Sequence, residues 1–136
     1  MADIIQYVKK SLNTFRFRFA SEKEFQDGIN RVFTEYGFAH KREHPLGRGD
    51  IPDFLIPDFN DEFGQTLAES GLQPRYLAVE VKTGGSPAAV ARQLSRYAGY
   101  TEVEAVLLIT SKSTLAKMPE TLQGKLIYTI VLSGAF

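Results

Sequence analysis

Residues 75–83, RYLAVEVKT, constrain this chain more than any other stretch. Val, Tyr and Thr fill it and Gly84-Gly85 ends it, so it reads as a strand. Alternation sends Leu77, Val79 and Val81 to one side and Ala78, Glu80 and Lys82 to the other. The acid and the ammonium thus share a face, roughly 6.5–7 Å apart along the strand. Ionised groups in an apolar strand require partners or a task.

The segments around it set the fold class. Residues 21–37 read as a helix, with Ser21 as N-cap and Glu24 completing a capping box. Phe25, Ile29, Val32, Phe33 and Tyr36 form its apolar face, and Gly37 supplies the stop. At about 100° per residue, Glu22 falls beside Phe25 and Ile29, whereas Glu24 falls toward solvent. Residues 38–46 look extended, Gly47-Arg48-Gly49 looks like a turn, and residues 50–56 read as a strand in which Pro52 marks an edge or a bulge. Residues 57–74 form a long loop carrying Asp58, Asp61, Glu62 and Glu69. Ser86-Pro87 opens a second helix that runs to Gly99. Residues 103–110 and 125–132 are further strands, with one or two helical turns at 113–118 between them. This order predicts an α/β fold: a mixed central sheet flanked by helices.

The N-terminal residues 1–20 stand somewhat apart as a helix and a basic-aromatic arm, with residues 21–136 as a single domain. Residues 3–13 carry Ile4, Ile5, Val8 and Leu12 at helical spacing. Phe15, Arg16, Phe17, Arg18 and Phe19 then alternate aromatic with basic. The arm either packs on the domain with its charges in water, or contacts a DNA backbone or a second subunit.

Composition excludes several classes. A chain of 136 residues forms one domain and buries roughly two-thirds of its unfolded surface. The absence of cysteine removes disulfide scaffolds, thiolate zinc sites and cysteine nucleophiles. Sixteen basic residues balance sixteen acidic ones, so any nucleic-acid contact must use local patches. No apolar run approaches the roughly 20 residues of a membrane span, and residues 1–10 lack the order of a signal peptide. The expected location is the cytoplasm.

The chemistry concentrates on acids. Asp53 lies between Ile51 and Leu55, and if its strand neighbours residues 75–83, Asp53 and Glu80 converge. Two converging carboxylates repel unless a cation lies between them. Oxygen ligands without His or Cys suit Mg²⁺ or Mn²⁺. Asp50 competes as the strand acid, but it borders the turn whereas Asp53 follows the proline.

Pro52-Asp53 followed by Glu80-Val81-Lys82 resembles the PD-(D/E)xK signature of the restriction-endonuclease-like nucleases, in particular the Holliday-junction resolvase and phage nuclease branch. Ser21-Glu22 looks like the family's leading helix acid. Lys41-Arg42-Glu43 is similar to what precedes the Asp strand in many members, and Gln93 with Tyr97 resembles the glutamine motif of the exonuclease and resolvase branches. The resemblance covers residues 21–110 and implies an αβββαβ core. It also implies that Asp53 and Glu80 hold Mg²⁺ (Mn²⁺ substituting) with the Val81 carbonyl. Lys82 would orient and help deprotonate the attacking water, Glu22 would hold a second metal or its water shell, and Gln93 would orient the site or touch a phosphate. The implied activity is metal-dependent endonucleolytic hydrolysis of DNA, directed by DNA structure, in recombination or repair in a bacterial or phage-infected cell. Arg92, Arg96, Tyr97, Arg16, Arg18 and Arg48 are the expected DNA contacts. The long acidic loop has no counterpart in the family pattern. A catalytically inactive nuclease-fold DNA-binding or assembly module is the alternative. A homodimer is expected, paired through the apolar face of the first helix and the last strand.

Overall fold

The computed structural model describes residues 1–58, 71 and 73–132, and the backbone of 134–135. Its elements run α1 (Ala2–Asn13), β1 (Phe17–Arg18), α2 (Glu22–Glu35), β2 (Lys41–Arg42), β3 (Phe54–Asp58) and β4 (Arg75–Lys82). There follow α3 (Pro87–Ala98), β5 (Val103–Thr110), a 3₁₀ turn (Ser113–Leu115), β6 (Thr121–Leu122), β7 (Lys125–Val131) and β8 (Gly134–Ala135). Six strands form one mixed sheet in the order β2-β3-β4-β5-β7-β6, and helices cover both faces. The β4–β5 and β5–β7 pairs are parallel; β2–β3, β3–β4 and β6–β7 are antiparallel.

The alternation read in residues 75–83 separates two cores. Leu77, Val79 and Val81 pack with Phe25, Ile29 and Phe33 of α2 and with α1. Ala78 packs with Val90, Leu94 and Tyr97 of α3, on the face that also carries Glu80 and Lys82. The capping of α2 follows the sequence closely: the Glu24 amide donates to Ser21 Oγ at 3.1 Å. Its return bond is displaced by one residue, with the Glu24 carboxylate accepting from the Ala20 amide rather than from Ser21. Gly37 (φ +72°) closes the helix in a Schellman arrangement, in which the Phe38 amide reaches the Phe33 carbonyl at 2.9 Å and the two rings meet edge to face. Ser86 and Pro87 open α3 as expected, with the Ala89 amide bonded to Ser86 Oγ.

Several expectations need correction. The strand assigned to residues 50–56 begins only at Phe54 and extends through Pro57 to Asp58. The amides of Leu46 and Asp50 are spent on a tight turn around Gly47–Asp50, and Pro52 has no amide to give a ladder. Pro57 is accommodated inside β3 because β2 pairs only with Phe54 and Leu55. The apolar face of α1 does not await a partner: Ile5, Val8 and Leu12 are buried in the chain's own core, with Ile4 packed against it, leaving only the β7 end of the expected dimer surface. The basic-aromatic arm is part of the same core through Phe17 and Phe19, while Arg16 and Arg18 face solvent. Strands β6 and β8 were not expected. β6 joins β7 through Gln123-Gly124, both at positive φ, as a two-residue hairpin requires. Most of the acidic loop, including Asp61, Glu62 and Glu69, lies outside the described residues.

Among the described residues no helix is long and apolar enough to cross a membrane.

Candidate active site

Antiparallel pairing sets Phe54 opposite Val79, which brings Asp53, just before β3, alongside Glu80 near the end of β4. Asp53 Oδ2 accepts the Val81 amide at 2.7 Å. The Ser111 amide bonds the Lys82 carbonyl, so even-numbered backbone groups of this stretch face β5. Val81 therefore faces the opposite side, and because N–H and C=O of one strand residue point the same way, its carbonyl lies on the Asp53 side as well.

Both Glu80 oxygens are engaged. Lys82 Nζ stands 3.3 Å from Oε2, and the Tyr97 hydroxyl donates to Oε1 at 3.0 Å. The Glu80 side chain is only 5% exposed, so these partners compensate a charge taken out of water. Tyr97 also lies 3.3 Å from the Ile51 carbonyl, and it accepts from Gln93 Nε2 at 3.0 Å. Glu22 closes the site from α2: its Oε1 accepts the Thr83 amide at 2.9 Å.

The electrostatics are strained by design of position. Burial first, and then the charge of Glu80, push the Asp53 carboxyl up to about 7. The Val81 amide pulls the other way, Glu22 adds to the rise and Lys82 opposes it. Burial also raises Glu80, against the lowering effect of Lys82 and Tyr97. The Tyr97 hydroxyl is held protonated, far above its ordinary value, by burial and by Glu80.

Asp53, Glu80, Val81, Lys82 and Glu22 are thus brought to one end of β4, and Gln93 reaches them through Tyr97. Tyr97 itself is a correction. Its side chain is 1% exposed and spent on Glu80, so it positions a carboxylate rather than meeting DNA. Its signal was present in the sequence: Val90, Leu94 and Tyr97 share the sheet-facing side of α3. Arg96 is exposed but paired with Asp50 at 3.2 Å. Arg16, Arg18, Arg48 and Arg92 are exposed and form no salt bridge among the described residues. Sequence reasoning also missed the work of Asp50, which accepts from both Arg96 and the Tyr100 hydroxyl.

Among the described residues no three His, Asp or Glu side chains group closely enough to form a metal site from side chains alone. The oxygen atoms that the site gathers are the carboxylates of Asp53 and Glu80 and, on the Asp53 side, the Val81 carbonyl. That suits Mg²⁺, which keeps several waters and takes one or two carboxylates. No family model, no curated protein and no solved structure matches the chain.

Proposed function

We propose that this chain is a metal-dependent deoxyribonuclease of the PD-(D/E)xK type, with a restriction-endonuclease-like core, acting in DNA recombination or repair. One observation carries the reading. Two mutually repelling, largely buried carboxylates, Asp53 and Glu80, stand together at a strand end with Lys82 beside them. A structural ion pair needs one acid for one base; the second acid raises the cost of the arrangement unless a cation joins it.

Asp53, Glu80 and the Val81 carbonyl are the groups that would hold Mg²⁺ or Mn²⁺. Such a cation, when bound, stabilises charge building on the phosphoryl oxygens. The remaining work falls to the chain. Lys82, as the ammonium paired with Glu80, would orient the attacking water and ease loss of its proton to bulk water as the new P–O bond forms and the bond to the leaving sugar oxygen breaks. Glu22, with one oxygen fixed by Thr83, offers the other to a water. Tyr97 keeps Glu80 in place and Gln93 keeps Tyr97 in place. Arg48 and Arg92, exposed and free of salt bridges among the described residues, are available to phosphates.

The test is plasmid nicking. Wild type should cut with Mg²⁺ or Mn²⁺ and fall silent in EDTA, and Asp53→Ala should be inactive with either metal. Undiminished cutting in EDTA would end the metal mechanism. Metal-independent DNA binding without cutting would favour the inactive module.

A further inference from the structure

Asp53 sits in no regular strand, yet its carboxylate accepts the Val81 amide at 2.7 Å and feels the charge of Glu80. Downstream, its own carbonyl is held by the Glu43 amide at 3.0 Å. Upstream lies the turn Gly47–Asp50, and what fixes that turn is a latch onto the C-terminal end of α3. The Tyr100 hydroxyl donates to Asp50 Oδ2 at 2.6 Å, and Arg96 Nε donates to Oδ1 at 3.2 Å. The turn is closed on itself by the Leu46 amide to the Asp50 carbonyl and the Asp50 amide to the Gly47 carbonyl. It is seated so tightly that a Cβ on Gly47 would lie 2.4 Å from the Tyr100 hydroxyl. Between latch and ligand stand only Ile51, whose carbonyl lies 3.3 Å from the Tyr97 hydroxyl, and the buried Pro52, whose ring fixes φ.

We propose that Asp50 is a positioning residue: by clamping the turn to Arg96 and Tyr100 it sets where the Asp53 carboxylate meets β4. This inference rests on the nuclease reading only for its consequence in metal affinity. The geometric part stands on the bonds alone. It also assigns the two acids different tasks. Asp50, with both oxygens occupied by Arg96 of α3 and Tyr100 just beyond it, acts through the backbone, and Asp53 faces the site.

The Val81 amide, bonded to Asp53 Oδ2, is a distant reporter of the carboxylate's position. Amide ¹H–¹⁵N spectra of the full chain should be compared for wild type, Asp50→Ala, Tyr100→Phe and Asp53→Ala, the last marking the position of a lost bond. Asp50→Ala should move the Val81 resonance a substantial part of the way toward the Asp53→Ala position. Tyr100→Phe, which removes a single hydroxyl and is expected to fold, should move it less in the same direction. Outer partners of metal ligands are worth about 10–100-fold in affinity, so Mn²⁺ binding by calorimetry should weaken about tenfold in Asp50→Ala. A Val81 resonance that stays at its wild-type position in both variants, while Leu46 and Gly47 shift, overturns the positioning role. If Val81 moves as expected but wild type binds no Mn²⁺, the positioning role holds and the metal reading falls.

Discussion

The two faces of β4 are made from one eight-residue strand and behave oppositely. On the α2 side, Leu77, Val79 and Val81 meet Phe25, Phe33 and Phe54, all fully or almost fully buried and all apolar. On the α3 side, the same strand offers Ala78 to Leu94 and Tyr97, and then Glu80 and Lys82. Burial on the first face removes carbon from water and stabilises by about 25 cal/mol per Å². Burial on the second face takes carboxylates out of water and pushes Asp53 up to about 7. Apolar packing and buried charge are thus divided by the pleat, and the division explains why a charged triplet can sit at the end of a buried central strand without dissolving it.

Substitutions can break that comparison. The largest effect belongs to Lys82. If it handles the proton of the attacking water, Lys82→Ala should lower single-turnover cleavage by ~10²–10⁴-fold while DNA affinity, measured by anisotropy, stays near wild type. Lost affinity with unchanged turnover would make Lys82 a phosphate contact. On the other face, Phe33→Ala should cost about 3–5 kcal/mol in denaturant unfolding, with kcat per folded molecule preserved. A catalytic defect larger than the folded fraction accounts for would mean that the two faces are coupled.

Smaller effects separate the two acids of the first turn of α2. Glu22→Gln should reduce cleavage with little change in melting temperature, because Gln still accepts from the Thr83 amide but carries no charge. Glu24→Gln should leave cleavage unchanged, since glutamine serves the same cap. The reverse pattern would place Glu24, not Glu22, toward the site.

Much of this division was legible in the sequence, because it depends on period-two alternation and helical phase, both local properties. The strand 75–83, the capping box at Ser21 and Glu24, the Gly37 stop and the Ser86-Pro87 helix start are each set by neighbours a few residues away. The tasks of Asp50 and Tyr97 were less legible, because they depend on where α3 lands relative to the turn at residues 47–50, about 46 positions away in the chain. The start of β3 was misjudged for a related reason. Ile51 and Leu55 alternate like strand residues, but the bonds that close the turn take the Asp50 backbone groups that a ladder would use, and Pro52 has no amide to offer. The two-residue pairings of β6 and β8 are too short to leave a periodic signal.

On the proposed reading, the α3 face holds a carboxylate pair at the expense of stability until a hard cation joins it. The folded value of Asp53, about 7, lies above the ordinary 3.8. The native state therefore binds more protons than the unfolded chain between about pH 4 and 7, so metal-free stability falls as pH rises through that window, and the penalty is complete above it. Asparagine keeps an acceptor for the Val81 amide and carries no charge. Thermal melting of wild type and Asp53→Asn at pH 8, in EDTA and in saturating Mn²⁺, tests this directly. In EDTA the variant should melt higher. In Mn²⁺ the gap should narrow, because wild type gains about 2.7 kcal/mol at a hundredfold excess over Kd and the variant gains less. A wild type that melts above Asp53→Asn in EDTA, or a gap that Mn²⁺ leaves unchanged, would contradict this reading.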